Sequence, residues 1–312
     1  MKRFLKRITI FSLLFIFLIA GLMAIIFWYV NRRANLIVDK NIKYVIFGHS
    51  HPACAFNDSL INNVKNYSAS GESLFYTYTK IEHILAQNTN IDTIFIEFSN
   101  RHIAKNGDEN IAGDIHLKTT FANFAPLQNI PDHKFLFKSN KSGYIQSLPI
   151  TIKTQFRKIV LNDFNFLKLG GFQNLQRNKT DSLLRYGDKE EEVLFSKEAY
   201  SPETIAILKR IIDYCKLKNK KVFLVRSPQH AKYAGRMNEE SFQAIRMKNF
   251  PDIEYLDFND FPLENSEFGD LNHLNFKGAR KFSIWFNEQI GKGFLRASNK
   301  QQFISDAFGA TK

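Results

Sequence analysis

The stretch KYVIFGHSH, residues 43–51, decides how the rest of the chain is read. Tyr44, Val45, Ile46 and Phe47 are the β-branched and aromatic residues of a short buried strand, expected over 43–48, which stops at Gly48 before a polar turn. A helix is expected just beyond, over residues 52–64. Ser50 then falls between a strand terminus and a helix start. Its hydroxyl would stand at the carboxyl edge of a sheet, where backbone N–H groups face a developing oxyanion.

Working outward, residues 65–69 read as a second short strand, and 73–87 carry Leu74, Tyr78, Ile81, Leu85 and Ala86 at helical spacing. A clear strand covers 93–98. The rhythm then fails over 101–200, where Asn, Lys and Phe mix with weak helical stretches such as 144–161. This segment is expected to be an inserted, mainly helical region. The rhythm returns with an amphipathic helix over Pro202–Leu217 carrying Ile205, Leu208, Ile211 and Ile212, then a strand over 221–225 that runs into Arg226, Ser227 and Pro228. A last strand is expected over 253–258 and a closing helix over 277–290, with Ala279, Phe282, Trp285 and Phe286 turned inward. Residues 291–312 read as a tail. Strands alternating with helices are the pattern of a parallel α/β sheet, which binds ligands at the carboxyl ends of its strands.

Composition supports a packed globular body: 44% of the 312 residues are apolar and 14% aromatic, with 31 Phe. The net charge is +13, and six of the basic residues lie within 1–33, which hold no acid. The remaining 37 Lys and Arg against 30 Asp and Glu are spread along the chain. That distribution suits anionic envelope polymers or lipid headgroups better than nucleic acid, which calls for a clustered basic and aromatic face. Cys54 and Cys215 lack the paired spacing of a zinc site and read as two separate buried thiols, with a disulfide outside the cytoplasm as the alternative.

Residues 8–30 form an uncharged run of 23 residues, long enough to cross a hydrocarbon core. The run ends in Phe27, Trp28, Tyr29, Val30, Asn31, Arg32 and Arg33, which has the aromatic belt of an anchor and no small-residue cleavage site. The expected organisation is a cytoplasmic tail over 1–7, a single membrane-spanning anchor over 8–30, and a catalytic domain over 41–290 with its insertion. Flanking positive charge is nearly balanced, so the short basic tail is what places the large body on the extracytoplasmic, periplasmic side of the inner or cytoplasmic membrane.

A serine needs a base to become a nucleophile. His273 is the candidate base, and Asp270, three residues earlier, can orient its ring and stabilise its charged form. First and last strands of such a sheet deliver their loops to one face, so the distance in sequence is no obstacle. The ordinary alternatives are that Ser50 caps its helix, that Asp270 caps the closing helix, and that His273 is a surface residue. His49 and His51 flank Ser50, but they are expected to point in different directions without a carboxylate partner, so no metal is expected. Arg226, Gln229, His230 and Tyr233 follow the fourth strand on the same edge; His230 and Tyr233 are candidates for substrate binding, and ordinary loop residues otherwise.

The block GDLNHLN, residues 269–275, followed by Gly278 and Ala279, resembles the closing block of SGNH (GDSL-type) hydrolases, and Gly48-His49-Ser50 is similar to their opening block. His49 stands where the family usually has Asp. The resemblance covers residues 43–100 and 202–290. It implies a three-layer, flavodoxin-like parallel sheet, a triad of Ser50, Asp270 and His273, an oxyanion hole from Ser50, Gly71 and Asn100, and no cofactor. The surroundings of Asn100, Phe98 to Arg101, depart from the family's Gly-x-Asn-Asp pattern. Anchored relatives include D-alanine transfer proteins and polysaccharide O-acetyltransferases. The resemblance therefore implies a membrane-anchored O-acyltransferase or acylesterase acting on an acylated cell-envelope glycan, beside a multi-spanning acyl donor. Water exclusion and acceptor binding, both governed by the insertion, would decide between transfer and hydrolysis. A non-catalytic envelope assembly protein on a degenerate scaffold and a cytoplasm-facing lipase are the alternatives.

Overall fold

A computed structural model describes residues 1–195 and 200–309. Its principal elements, in chain order, are α1 (Lys2–Arg33), β1 (Tyr44–Phe47), α2 (Ser50–Ala55), β2 (Val64–Asn66), α3 (Leu74–Gln87), β3 (Thr93–Glu97), α4 (Asn100–Ile103), α5 (Ile130–Ser139), α6 (Lys141–Leu161), α7 (Pro202–Leu217), β4 (Lys221–Arg226), α8 (Glu239–Asn249), β5 (Tyr255–Asp257), α9 (Phe276–Gly291) and α10 (Lys300–Gly309). Shorter helical turns join them.

The five strands form one parallel sheet in the order β2-β1-β3-β4-β5. Ile94 and Ile96 of β3 point to one face and Phe95 to the other, and all three are fully buried, because helices cover both faces of the sheet. On the Phe95 face the core is aromatic: Phe95 stacks on Phe223 at 5.4 Å, and Phe56, Phe258, Phe282 and Phe286 meet edge to face beneath α9. α3 and α7 pack against one another, with Tyr78 and Tyr214 in edge contact.

The expected helix over 52–64 is broken. α2 ends at Ala55, and Asn57 then accepts a hydrogen bond from the Ser59 N–H to start a separate turn, Asp58–Leu60. The expected tail is folded. Phe294 and Ile304 join the aromatic core, and the Gln301 amide makes both hydrogen bonds to the backbone of Asp257, covering the open edge of β5.

The chain divides into two compact units, Met1–Leu36 with Ala112–Phe166, and Ile37–Ile111 with Leu167–Lys312. The segment read as one insertion over 101–200 is therefore divided: only its middle joins α1, while its flanks belong to the sheet. In the first unit the C-terminal part of α1 lies against α6 and the turn Ala125–Leu127, burying Ile26 and Val30. α1 is long and apolar enough to cross a membrane. Cys54 and Cys215 are buried and unpaired with each other.

Candidate active site

The strand order reverses between β1 and β3, and the crevice beyond the carboxyl ends of these two strands is where sheets of this kind hold ligands. Ser50 stands at the end of β1 as the first residue of α2. The turn before it depends on Gly48, since a Cβ there would lie 2.5 Å from Cβ of Glu97 and 2.7 Å from Pro52. β1 can approach β3 this closely only without a side chain at that position.

The loop after β5 brings Asp270 and His273 to Ser50. His273 Nε2 lies 2.7 Å from Ser50 Oγ, and His273 Nδ1 lies 2.9 Å from Asp270 Oδ1. Asp270 also accepts from the backbone N–H groups of Asn272 and His273, at 3.1 and 2.8 Å, which fixes the carboxylate against its loop. Asp270 does not cap α9. Asn275 does, accepting from Lys277 and Gly278 while its amide donates to the Ser266 and Phe268 carbonyls. Burial pushes the Asp270 carboxyl up, but the His273 hydrogen bond and the charges of His273 and Arg177 outweigh it and hold the group below its ordinary range.

Arg177, Gly71 and the segment around residues 171–180 complete the site. The Arg177 guanidinium donates to Asp270 Oδ2. Its segment runs without regular structure across the site's loops. Gly171 N–H donates to Ser68 O at 2.9 Å, Gln173 N–H to Ala53 O at 2.8 Å, and Lys179 N–H to Gly269 O at 2.7 Å, so one strap ties together the loop after β2, helix α2 and the loop after β5. Gly71 adopts φ +69°, a left-handed conformation that costs other residues energy, and lines the same pocket as Ser50. Its loop is held by the buried Glu72–Lys80 pair at 2.5 Å and by Lys80 Nζ donating to Tyr67 O.

Asn100 is not at the pocket. β3 continues directly into the one-turn helix α4, where successive side chains diverge by about 100°. The Asn100 amide donates to Asn238 O at 3.3 Å, and it is Arg101 and His102 that line the pocket of roughly 560 Å³ with Ser50, His49 and Gly71. Nor do His230 and Tyr233 line it. His230 Nε2 faces Asn265 Oδ1 at 3.1 Å, and Tyr233 is buried, its ring against His51 and its hydroxyl donating to Glu191.

Beneath Ser50 lies a buried polar cluster that the sequence reading missed. His49, His51 and Glu97 each bring one ligand-type atom within 4.8 Å of the others, so the two histidines converge and do have a carboxylate neighbour. Their hydrogen bonds describe a proton network. His49 Nδ1 accepts from the His51 N–H, the Gln229 amide lies 2.9 Å from His51 Nδ1, and His102 Nδ1 donates to Glu97 O at 2.7 Å. Nδ1 of both His49 and His51 is thus an acceptor, which puts the proton of each neutral ring on Nε2, and Nε2 of His49 and Oε1 of Glu97 are buried without a hydrogen-bond partner. Burial lowers the pKa of all three histidines, that of His102 to about 4, and raises Glu97 to about 7 against its hydrogen bonds from Ser227. The sequence did carry a signal: Glu97 is an acid at the end of an otherwise apolar strand, TIFIE.

Among known proteins, a model of an uncharacterised protein family matches residues 162–295, a span that begins just before the strap and includes Asp270 and His273 but not Ser50. No curated protein matches the chain.

Proposed function

We propose that this chain is an SGNH-type serine acyltransferase or acylesterase, held at a membrane by α1 and acting on an acylated envelope glycan. The observation that carries this reading is His273, hydrogen-bonded at once to Ser50 Oγ and to Asp270 at the switch point of the sheet. The strand order 2-1-3-4-5 is the flavodoxin-like one expected of that superfamily. In the proposed mechanism Ser50 Oγ attacks the acyl carbonyl as His273 Nε2 takes its proton, and Asp270 stabilises the imidazolium. The tetrahedral intermediate collapses to an acyl-Ser50 ester, and His273 returns the proton to the departing alcohol. A sugar hydroxyl or water then repeats the sequence in reverse. The backbone N–H groups of Ser50 and Gly71 are the proposed oxyanion donors; Asn100 drops out of that role, and Arg101, which lines the same pocket, is the cationic side chain proposed to take its place.

A membrane-spanning α1 would hold the reaction at an envelope, and an extracytoplasmic body fits an envelope glycan as substrate. The displaced Asn100 favours a second reading, a non-catalytic assembly protein on the same scaffold. Treating the detergent-solubilised full chain with a fluorophosphonate distinguishes them. The expected result is a stoichiometric adduct on Ser50 that His273→Ala reduces at least about 10³-fold in rate. A folded protein that never labels would favour the assembly reading. Protease accessibility on spheroplasts, from which any outer barrier has been removed, decides the side of the membrane, and protection of the body there would favour a cytoplasm-facing lipase.

A further inference from the structure

Helix α6 is built inside out for a water-soluble helix. The face it buries is small and polar: Gly143, Ser147, Thr151 and Gln155, spaced four residues apart. Gln155 Nε2 donates to Ala122 O, Thr151 to Ser147 O and Ser147 to Tyr144 O, so these donors are satisfied within the unit, while Gln155 Oε1 is buried without a partner. Its apolar residues lie elsewhere. Ile145, Leu148, Ile152, Phe156 and Val160 recur every three or four positions along a second stripe, with Ile145 57%, Phe156 58% and Val160 66% exposed and Leu148 and Ile152 half-buried between them. Exposed Lys153 and Arg157 border that stripe. Ile130, at the start of α5, is 83% exposed, and residues 112–166 hold seven Lys and Arg against three Asp.

This unit is continuous with the anchor. Residues 2–22 of α1 are exposed along their whole length, and packing begins only near its C-terminal end. There Phe27 stacks on His133 at 5.9 Å, Tyr29 meets Phe164, and Arg33 donates to Asn162 Oδ1 at 3.0 Å, just past the end of α6. Trp28 and Tyr29 are the aromatic belt of α1, so the level at which it leaves the hydrocarbon is the level at which α6 is attached. A helix with a small-residue packing face, an apolar stripe left bare and a basic border has the pattern of an element lying in a lipid interface.

We propose that the bare stripe of α6, with Ile130 of α5, docks into the headgroup and acyl boundary of the bilayer that α1 crosses, giving the protein a second, monotopic attachment to phospholipid. The inference rests on α1 spanning the membrane and is independent of the chemistry at Ser50. The test uses the full chain reconstituted in phospholipid vesicles with nitroxides on single introduced cysteines, Cys54 and Cys215 being buried. Labels at Ile145→Cys and Phe156→Cys are expected to be relaxed by oxygen and shielded from a water-soluble nickel chelate. Labels at Gln146→Cys and Lys153→Cys are expected to show the reverse. Phe15→Cys in α1 reports on the anchor itself. Water-exposed α6 labels beside a lipid-buried Phe15→Cys label would overturn the docking and leave the anchor reading intact; a water-exposed Phe15→Cys label would overturn both. Labels at 145 and 156 shielded from both reagents would mean that protein, a second copy included, covers the stripe, and would overturn the lipid assignment.

Discussion

At the scale of single residues, Arg177 is the least expected member of the site. Its guanidinium shares the Asp270 carboxylate with His273 and lies 3.2 Å from His273 Nδ1, yet it belongs to a stretch with no periodicity and no motif. It helps hold Asp270 ionised and touches no reacting atom, so it is a positioning residue. A half-exposed charged hydrogen bond is worth about 1 kcal/mol after solvent screening. Arg177→Ala is therefore expected to slow fluorophosphonate labelling about five- to tenfold at neutral pH. Without the cation Asp270 loses one of the charges that hold its carboxyl below the ordinary range, and with it part of its grip on His273. Arg177→Lys should restore most of the rate. A rate in Arg177→Lys as low as in Arg177→Ala would show that the side chain acts through loop packing and not through its charge. Asn100 teaches the complementary point. The sequence located the end of β3 to within one residue, but a helical turn beginning at Asn100 decides which of three consecutive residues faces the pocket, and a one-residue offset carries no compositional signature.

At the scale of elements, β1, β3, β4, α3, α7 and α9 were legible because each carries a run or period of apolar residues that only one kind of element can bury. β2 was read one residue late at its start and three late at its end, since Val64–Asn66 is too short to show alternation. The strap was not legible at all. Its order comes from backbone hydrogen bonds to Ser68, Ala53 and Gly269, partners far away in sequence, and its own side chains do not announce them. The Glu72–Lys80 pair was hidden for a similar reason: in a helical pattern Lys80 reads as a solvated residue, yet it is buried and holds the loop of Gly71. Lys80→Met would leave Glu72 buried without its cation, a change that costs roughly 3 kcal/mol. Burial already raises the Glu72 carboxyl against the pull of Lys80. In the variant the group can escape the penalty by taking a proton, so the drop in melting temperature should be larger at pH 8 than at pH 5. The double variant Lys80→Met with Glu72→Gln should recover most of the stability, and failure to recover would indicate that packing by the lysine stem, not charge, dominates.

At the scale of the whole molecule, the buried cluster under Ser50 makes folding itself pH-dependent, and its groups pull in opposite directions. His49, His51 and His102 are held neutral by burial, with folded pKa values below the usual 6.5. Between about pH 4.5 and 6.5 the unfolded chain binds protons at these positions that the folded chain refuses, so stability rises with pH. Glu97 does the opposite. Its folded value of about 7 lies above its unfolded one, so between about pH 4.5 and 7 the folded chain holds a proton that the unfolded chain has lost, and stability from this group falls as pH rises. Three histidines against one carboxyl leave a net uptake of about two protons on unfolding near pH 5.5, each worth about 1.4 kcal/mol per pH unit. The cluster therefore contributes a rise in melting temperature of the full chain in detergent from pH 5 to 6.5, which carboxyls raised by burial elsewhere, Glu72 among them, make shallower. Glu97→Gln imitates the protonated carboxyl and cannot release a proton, so it removes the opposing contribution. Its melting temperature should climb more steeply over the same interval while staying close to that of the unsubstituted chain at pH 5. Parallel profiles for the two proteins would mean that Glu97 is ionised in the folded state throughout, and the cluster would then be an ion pair with His51 in place of a neutral proton network.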